Sequence, residues 1–184
     1  MRRVERNEIV DYQTYEESRE AFRRQVMAAK SRRRIHVGEC FTFLFENPMT
    51  VRYQIQEMMR AEKIVREKDI LHEIETYNQL LGDSGELGCT LLIEIDDPAQ
   101  RDQKLRQWLD LPEHVYAAMA DGSKVRPTVD AAQRDSGRIS SVQYLKFAVQ
   151  GKVPVAIAID HPGIEAQTQL TDAHRAALAE DMVS

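Results

Sequence analysis

Six polar side chains between residues 53 and 94 are of the types that transfer protons, bind metal ions or hold anions. A carboxylate such as that of Glu57 or Glu94 can act as a base or bind a divalent cation, and the guanidinium of Arg60 can hold an anion. The sequence therefore predicts a candidate pocket between two adjacent helices and a neighbouring strand. Its predicted lining consists of Tyr53, Gln54, Glu57, Arg60, Glu62 and Glu94.

A capped helix is expected to position five of these six residues. Asn47 and Pro48 are typical of an N-cap and a first helical residue, and they predict a helix over about 48–66. At about 100° per residue, Gln54 and Glu62 point into the apolar stripe of this helix. That stripe consists of Val51, Ile55, Met58 and Val65. A buried carboxylate is costly, so Glu62 is expected to find a cation, a donor or a metal, to be protonated, or to reach solvent at the end of the stripe. Arg101 is a candidate partner.

Two interpretations of these polar residues remain open at this level. In the first, the polar side chains satisfy one another and brace helices against strands, as most buried polar groups do. In the second, they line a cavity that binds a ligand, with Glu57 or Glu94 as a base or metal ligand.

Metal and cofactor motifs are sparse in this chain. A di-iron helical bundle needs two E-x-x-H motifs, and this chain offers only Asp69-x-x-His72. Cys40 and Cys89 lie far apart, so they are expected to be small buried hydrophobes or, if their strands are neighbours, a redox pair. Asp160-His161-Pro162-Gly163 follows a strand and indicates either a turn or an acid/base dyad. No cofactor and no metal are expected.

Positive charge is concentrated in the first 34 residues. This segment contains ten Lys and Arg against six Asp and Glu, a net charge of +4, whereas the remainder has 15 against 24, a net charge of −9. Thr14 and Glu17 form a capping box that predicts a basic surface helix over 15–33. Its basic side chains predict a face for a partner protein, the acidic body of the chain or a second copy. They are Arg19, Arg23, Arg24 and Lys30.

Composition excludes several classes of protein. The net charge of −5 and the absence of RRM or KH signatures argue against binding to nucleic acid. No apolar run approaches the ~20 residues that span a bilayer. The first residues also lack the apolar core of a signal peptide, so the cytoplasm is the expected compartment.

The order of the predicted elements indicates one α+β domain over residues 1–184. We expect a mainly antiparallel sheet of about six strands, with helices packed largely on one face and with Phe41, Phe43 and Phe45 facing the helices. Hairpins are predicted over 115–129 and 141–159, a mobile loop over 130–138 and a last helix over 172–181. The pattern from Ile35 to Glu46 predicts one continuous strand.

Four segments of the chain together resemble a bacterial family known only as a domain of unknown function. The resemblance covers most of the chain and is most specific at Phe45-Glu46-Asn47, Thr50, residues 53–58, Arg60 and Glu62. The four segments are YEESREAFRRQVMAAKSRRRIHVG, FLFENPMTVRYQIQEMMRAE, IETYNQLL and ELGCTLLIEIDDP. Genes of that family often lie beside genes for a rubrerythrin-like protein and a cysteine-rich iron-sulfur oxidoreductase. The resemblance implies a role near redox metabolism in which the neighbours carry the iron.

The leading hypothesis is a non-catalytic cytoplasmic accessory protein that docks on a redox partner. Docking would use the basic helix or the face around Tyr53 and Arg60, and a homodimer is a further expectation. The alternative is a small enzyme or ligand-binding protein that uses Glu57, Arg60, Glu62 and Glu94, with or without a divalent metal.

Overall fold

Two antiparallel sheets form the centre of the molecule. The computed structural model describes residues 1–129, 134–135 and 137–183, so the loop expected at 130–138 lies largely outside the described residues. The strands of the five-stranded sheet, in order across the sheet, are β1 (Arg34–Val37), β2 (Phe41–Phe45), β3 (Leu87–Ile93), β9 (Val142–Phe147) and β6 (Thr128–Val129). Those of the four-stranded sheet, again in order, are β11 (Ile164–Gln169), β10 (Ala156–His161), β4 (Val115–Ala118) and β5 (Lys124–Val125).

A separate two-stranded ribbon and five helices complete the described fold. The ribbon pairs β7 (Arg134–Asp135) with β8 (Arg138–Ile139). The helices are α1 (Tyr12–Ser31), α2 (Pro48–Glu62), α3 (Glu67–Asn78), α4 (Pro98–Gln107) and α5 (Asp172–Met182). The α+β class and the antiparallel sheets are therefore confirmed, and β3 lies at the centre of the five-stranded sheet.

The apolar side chains of the chain form two cores. Phe41, Phe43 and Phe45 share the larger core with strands of both sheets, including Val115 and Ile157. This core also takes in α4 and α5 residues, so the prediction that the phenylalanines face helices holds only for these two shorter helices. The second core contains Val51, Ile55 and Met59 of α2, Ile70 and Ile74 of α3, and Val4 and Ile9 of the N-terminal segment.

Several predicted boundaries are wrong for local reasons. Asp11 caps α1 by accepting hydrogen bonds from the backbone N–H groups of Gln13 and Thr14, so the helix begins three residues earlier than the Thr14 capping box predicts. Gly38, with φ of 64°, divides the predicted strand 35–46 into the β1–β2 hairpin. The prediction of a 141–159 hairpin is also wrong, because β9 pairs with β3 whereas β10 pairs with β4 and β11.

The two cysteines are both free thiols. Cys89 lies opposite Phe45 in the β2–β3 ladder, whereas the carbonyl of Cys40 accepts from the N–H of Glu94 at the other end of that ladder. The cysteines therefore lie at opposite ends of neighbouring strands, and a redox pair between them is excluded by position. Cys89 is 2% exposed, in agreement with the prediction of a small buried hydrophobe.

Candidate functional site

A buried carboxylate joins β2, α2 and β3. Glu46 is the residue before the N-cap of α2 and is 1% exposed. Its Oε2 accepts a hydrogen bond from the hydroxyl of Thr50 at 2.5 Å, and its Oε1 accepts from the hydroxyl of Thr90 at 2.8 Å and from Nε2 of Gln54 at 3.3 Å. We call these four residues the Glu46 cluster. Gln54 therefore has a buried polar partner, as its position in the apolar stripe predicts. That partner is Glu46, whose burial is not predicted from the sequence.

A buried ion pair ties the C-terminal helix to the helical layer. Arg33 donates from Nε and Nη2 to the two carboxylate oxygens of Asp181, both at 2.7 Å, and the two side chains are 4% and 5% exposed. Nδ2 of Asn47, the N-cap of α2, donates to the same carboxylate at 3.2 Å. This two-pronged geometry is the strong form of an Arg–carboxylate pair, and it fixes α5 against the end of α1 and the start of α2.

A third polar group lies between α1 and α2. Glu57 accepts hydrogen bonds from Nε of Arg19 at 2.7 Å, Nη2 of Arg19 at 2.9 Å and the hydroxyl of Tyr15 at 2.7 Å. Arg60 lies 3.7 Å from the Glu57 carboxylate and 3.6 Å from that of Glu16. We call Tyr15, Arg19, Glu57 and Arg60 the Glu57 cluster. The bonds from Arg19, with a further contribution from Tyr15, lower the pKa of Glu57, and burial together with the Glu57 bond raises the pKa of Tyr15.

The lowered pKa of Glu57 makes its contribution to stability depend on pH. A carboxyl with a depressed folded-state pKa stabilises the fold above its ordinary value of 4.5, and this stabilisation is lost as the pH falls through the folded-state pKa. We expect Glu57→Gln to lower the free energy of unfolding by about 1–2 kcal/mol at neutral pH. The difference from the parent protein should be smaller at pH ~4, below the ordinary pKa of a glutamate, than at neutral pH.

Urea unfolding curves at the two pH values measure this difference. Glu17→Gln, at an exposed position of the neighbouring helix α1, serves as the control and should leave stability unchanged at both pH values. A Glu57→Gln difference that is equal at both pH values would contradict the assigned ion pair.

Two of the three remaining predicted pocket residues, Glu62 and Glu94, lie at the surface. Glu62 is exposed, because Lys63 adopts a left-handed conformation with φ of 53° and ends α2 there. Of the alternatives for Glu62, the structure has the one in which it reaches solvent at the end of the stripe. Arg101 is not its partner, because Nη1 of Arg101 donates to the carbonyl of Ile95 at 3.0 Å. Glu94 is also exposed, and it accepts a hydrogen bond from Thr42 at 2.5 Å at the far end of the first sheet.

The six predicted residues thus occupy five separate surroundings. Gln54 belongs to the Glu46 cluster, Glu57 and Arg60 belong to the Glu57 cluster, and Glu62 and Glu94 face solvent at separate places. Tyr53 lies beside α1, where its ring is 6.1 Å from that of Phe22 and 5.5 Å from Nζ of Lys30. The structure therefore supports bracing for Gln54 and Glu57, while a catalytic role for any of the six stays a prediction.

The four basic residues predicted to meet a partner fall into two groups. Arg19 is held by Glu57, and Lys30 is partly buried, which lowers the pKa of its ammonium. Arg23 and Arg24 are exposed and form no ion pair with any residue that the structure describes. Only this last pair keeps its charge available to a second molecule.

Comparison with known proteins places the chain in a family. The model for "Protein of unknown function (DUF3501)" matches residues 3–182. The chain belongs to the DUF3501 family. It is also similar to a crystal structure described as a novel protein of unknown function from Burkholderia pseudomallei K96243, with 27% identity and a TM-score of 0.90 over 98% of this chain and 100% of the other. A search of curated proteins found no significant match.

Because the DUF3501 family is described as of unknown function, membership assigns no chemistry to this chain. The resemblance to a family of unknown function is confirmed, while the redox gene neighbourhood that it implies stays a prediction. In the described part of the chain, no helix has the length and apolar character needed to cross a membrane. Within the same residues, no three His, Cys, Asp or Glu side chains are grouped so as to hold a metal ion.

A histidine cluster on the second sheet of the DUF3501 chain was not predicted in this arrangement. Nε2 of His161 lies 3.1 Å from Oδ1 of Asp110, and Nε2 of His114 lies 3.3 Å from Oδ2 of the same carboxylate. Asp160 instead binds Arg126 and Lys124, which lower its pKa to about 2. Asp160 and His161 therefore form no dyad with each other, and Pro162-Gly163 makes the β10–β11 turn.

The buried polar residues that sequence reasoning missed carry a weak signal. Asp181 follows Ala177 and Leu178 at helical spacing, so the apolar stripe of α5 runs through a carboxylate. Glu46 follows Thr42 and Leu44 at alternate positions of β2, on the strand face opposite the phenylalanines. Both patterns mark a buried charge, but only the fold identifies Arg33 and Thr90 as the partners.

Proposed function

We propose that this DUF3501 protein is a non-catalytic cytoplasmic accessory protein that docks on an acidic surface of a partner protein. The docking surface is the basic end of α1, which we define as Arg23, Arg24 and Met27. The family resemblance implies that this partner is a redox protein.

One observation carries the proposal: Arg23 and Arg24 are exposed and form no ion pair with a described residue. The contrast with the rest of the basic segment is pronounced, because its other arginines up to Arg33 bind carboxylates of the chain. These pairs are Arg2–Glu8, Arg3–Asp83, Arg6–Glu67, Arg19–Glu57, Arg32–Glu180 and Arg33–Asp181. These pairs neutralise much of the positive charge of this segment. Lys30 and Arg34 also form no ion pair with a described residue, but Lys30 is partly buried and Arg34 lies on β1, so Arg23 and Arg24 are the exposed, unpaired arginines of α1 among the described residues.

Met27 gives the same surface an apolar contact. It is 37% exposed and lies one helical turn beyond Arg23 and Arg24. Arginine and methionine are both enriched at protein interfaces, and exposed positive charge accelerates association with a negatively charged partner. A small apolar centre with adjacent arginines therefore suits a transient complex.

The test is a double charge reversal at this surface. Arg23→Glu/Arg24→Glu should weaken the native complex by at least about tenfold in Kd, because attraction becomes repulsion across the interface. Arg66→Glu/Arg175→Glu is the matched control, since both residues are exposed arginines and the net charge changes equally.

Each double variant is used in turn to capture partner protein from native lysate. The recovered partner is then titrated against both double variants. Loss of binding with the first double variant alone supports the proposal. Equal binding by both variants, or an equal loss in both, would contradict it.

A second copy of the chain is the alternative occupant of this surface. Sedimentation equilibrium of the purified protein distinguishes the two: a dimer that Arg23→Glu/Arg24→Glu dissociates would assign the surface to self-association. The other hypothesis, an enzyme or binding site built from Glu57, Arg60, Glu62 and Glu94, has less support, because Glu57 is bonded to Arg19 and the two remaining carboxylates lie apart.

A further inference from the structure

A cleft separate from the predicted site lies between α3 and the β6–β9 end of the first sheet. Its volume is about 710 Å³, within the range of roughly 300–1,000 Å³ that small-molecule sites occupy. The turn that follows α3 packs directly against β3 at Gly88. A Cβ at this position would lie 1.9 Å from the carbonyl oxygen of Leu80, so the contact requires glycine. This close approach fixes one wall of the cleft, and the sheet forms the other.

Two tyrosines face this cleft from the two walls. Tyr77 of α3 is partly buried, and Tyr144 of β9 is 45% exposed although it lines a concave surface. Burial, followed by the negative charge of Glu73 and by the neighbouring Tyr144, raises the pKa of Tyr77. Its phenol therefore stays protonated at neutral pH and can donate a hydrogen bond. Rings on both walls suit a planar aromatic group between them.

Opposite charges lie on the same two walls. Glu73 stands on α3 and Lys146 stands on β9, and the side chains of both line the cleft. Neither forms an ion pair with a residue of the described ranges, so both charges are available to a ligand in the cleft. Thr76 and Thr128 add hydroxyl groups to the lining. The ammonium of Lys146 would bind an acidic group, and the carboxylate of Glu73 would accept from an amine or hydroxyl.

We infer that this cleft binds a small planar aromatic ligand with an acidic group at one end and an amine or hydroxyl donor at the other. The ring lies between Tyr77 and Tyr144, the acid pairs with Lys146 and the donor bonds to Glu73. The inference does not depend on the basic end of α1, which is built from a different helix, so either proposal can fail without the other.

In the experiment, the full chain is titrated with three acidic probes and with their neutral counterparts. Binding is monitored by the backbone amide signals in NMR spectra. The probes are 4-aminobenzoate, 6-hydroxy-2-naphthoate and AMP, and the counterparts that lack the acid are aniline, 2-naphthol and adenosine. At least one acidic probe should shift the amide signals around residues 76–80 and 144–146. It should bind about tenfold more tightly than its neutral counterpart, the effect of one charge-assisted contact.

Two variants and a control test the assigned contacts. Lys146→Glu should reduce the affinity for the acidic probe by at least about tenfold and leave its neutral counterpart unaffected, while Tyr144→Ala should weaken both. Lys152→Ala, at an exposed lysine, should change neither. The inference is overturned if no acidic probe shifts the cleft signals, or if Lys146→Glu and Lys152→Ala behave alike.

Discussion

Asp181→Ala lowers the free energy of unfolding by about 3–5 kcal/mol, the cost of leaving one partner of a buried ion pair without the other. Arg33 is 4% exposed and loses both of its 2.7 Å bonds to the carboxylate in this variant. Asn47 also loses an acceptor, so the start of α2 is destabilised together with α5. Urea unfolding at neutral pH measures the change.

Two further variants separate the buried charge from other effects. Glu180→Ala, at the position before Asp181 in α5, removes a surface carboxylate and should lower the free energy of unfolding by no more than about 1 kcal/mol. Arg33→Met/Asp181→Leu removes both charges and should be less destabilising than Asp181→Ala, since no uncompensated charge remains. An Asp181→Ala cost equal to that of Glu180→Ala would contradict a buried pair.

Glu46→Ala lowers the free energy of unfolding by about 3 kcal/mol, because the hydroxyl of Thr90 loses its acceptor and that of Thr50 keeps only the carbonyl of Asn47 at 3.0 Å. Thr50 is fully buried and Thr90 is 8% exposed, so water cannot readily replace the carboxylate. The variant also leaves a void at the junction of β2, α2 and β3.

Glu46→Gln keeps the shape and one acceptor oxygen, so it should cost less than Glu46→Ala in the same urea measurement. Thr50→Val/Glu46→Ala should cost less than the sum of its two single changes, because the two residues share one bond. Strict additivity would show that the 2.5 Å contact between them contributes nothing to stability.

Local signals in the sequence predict where most elements begin. The Asn47-Pro48 start of α2 and the last helix predicted over 172–181 are confirmed, and Asp97 and Thr171 cap α4 and α5 in the same way as Asn47 caps α2. These signals succeed because a cap is satisfied by residues three or four positions away. Strand partners depend instead on distant segments, so the sequence predicts a hairpin over 141–159 although this turn passes the chain from one sheet to the other.

The buried face of α2 shows the same limit at the level of the site. Its core positions are Val51, Ile55 and Met59, which follow a spacing of four, whereas a period of 100° per residue predicts Met58 in the stripe. Gln56 is also 2% exposed, because the N-terminal segment covers that side and Val10 exchanges two hydrogen bonds with it. Periodicity alone could not show which segment would cover the helix.

The most direct test of the docking surface is site-specific photo-crosslinking in the native host. A photoreactive residue placed at Met27 should capture one discrete partner, and the same residue at Leu71, an exposed position on α3, should not. Adding Arg23→Glu/Arg24→Glu should abolish the Met27 product while the protein remains folded. A Met27 product that survives the double reversal, or no product that distinguishes Met27 from Leu71, would contradict the proposal that the basic end of α1 is the docking surface.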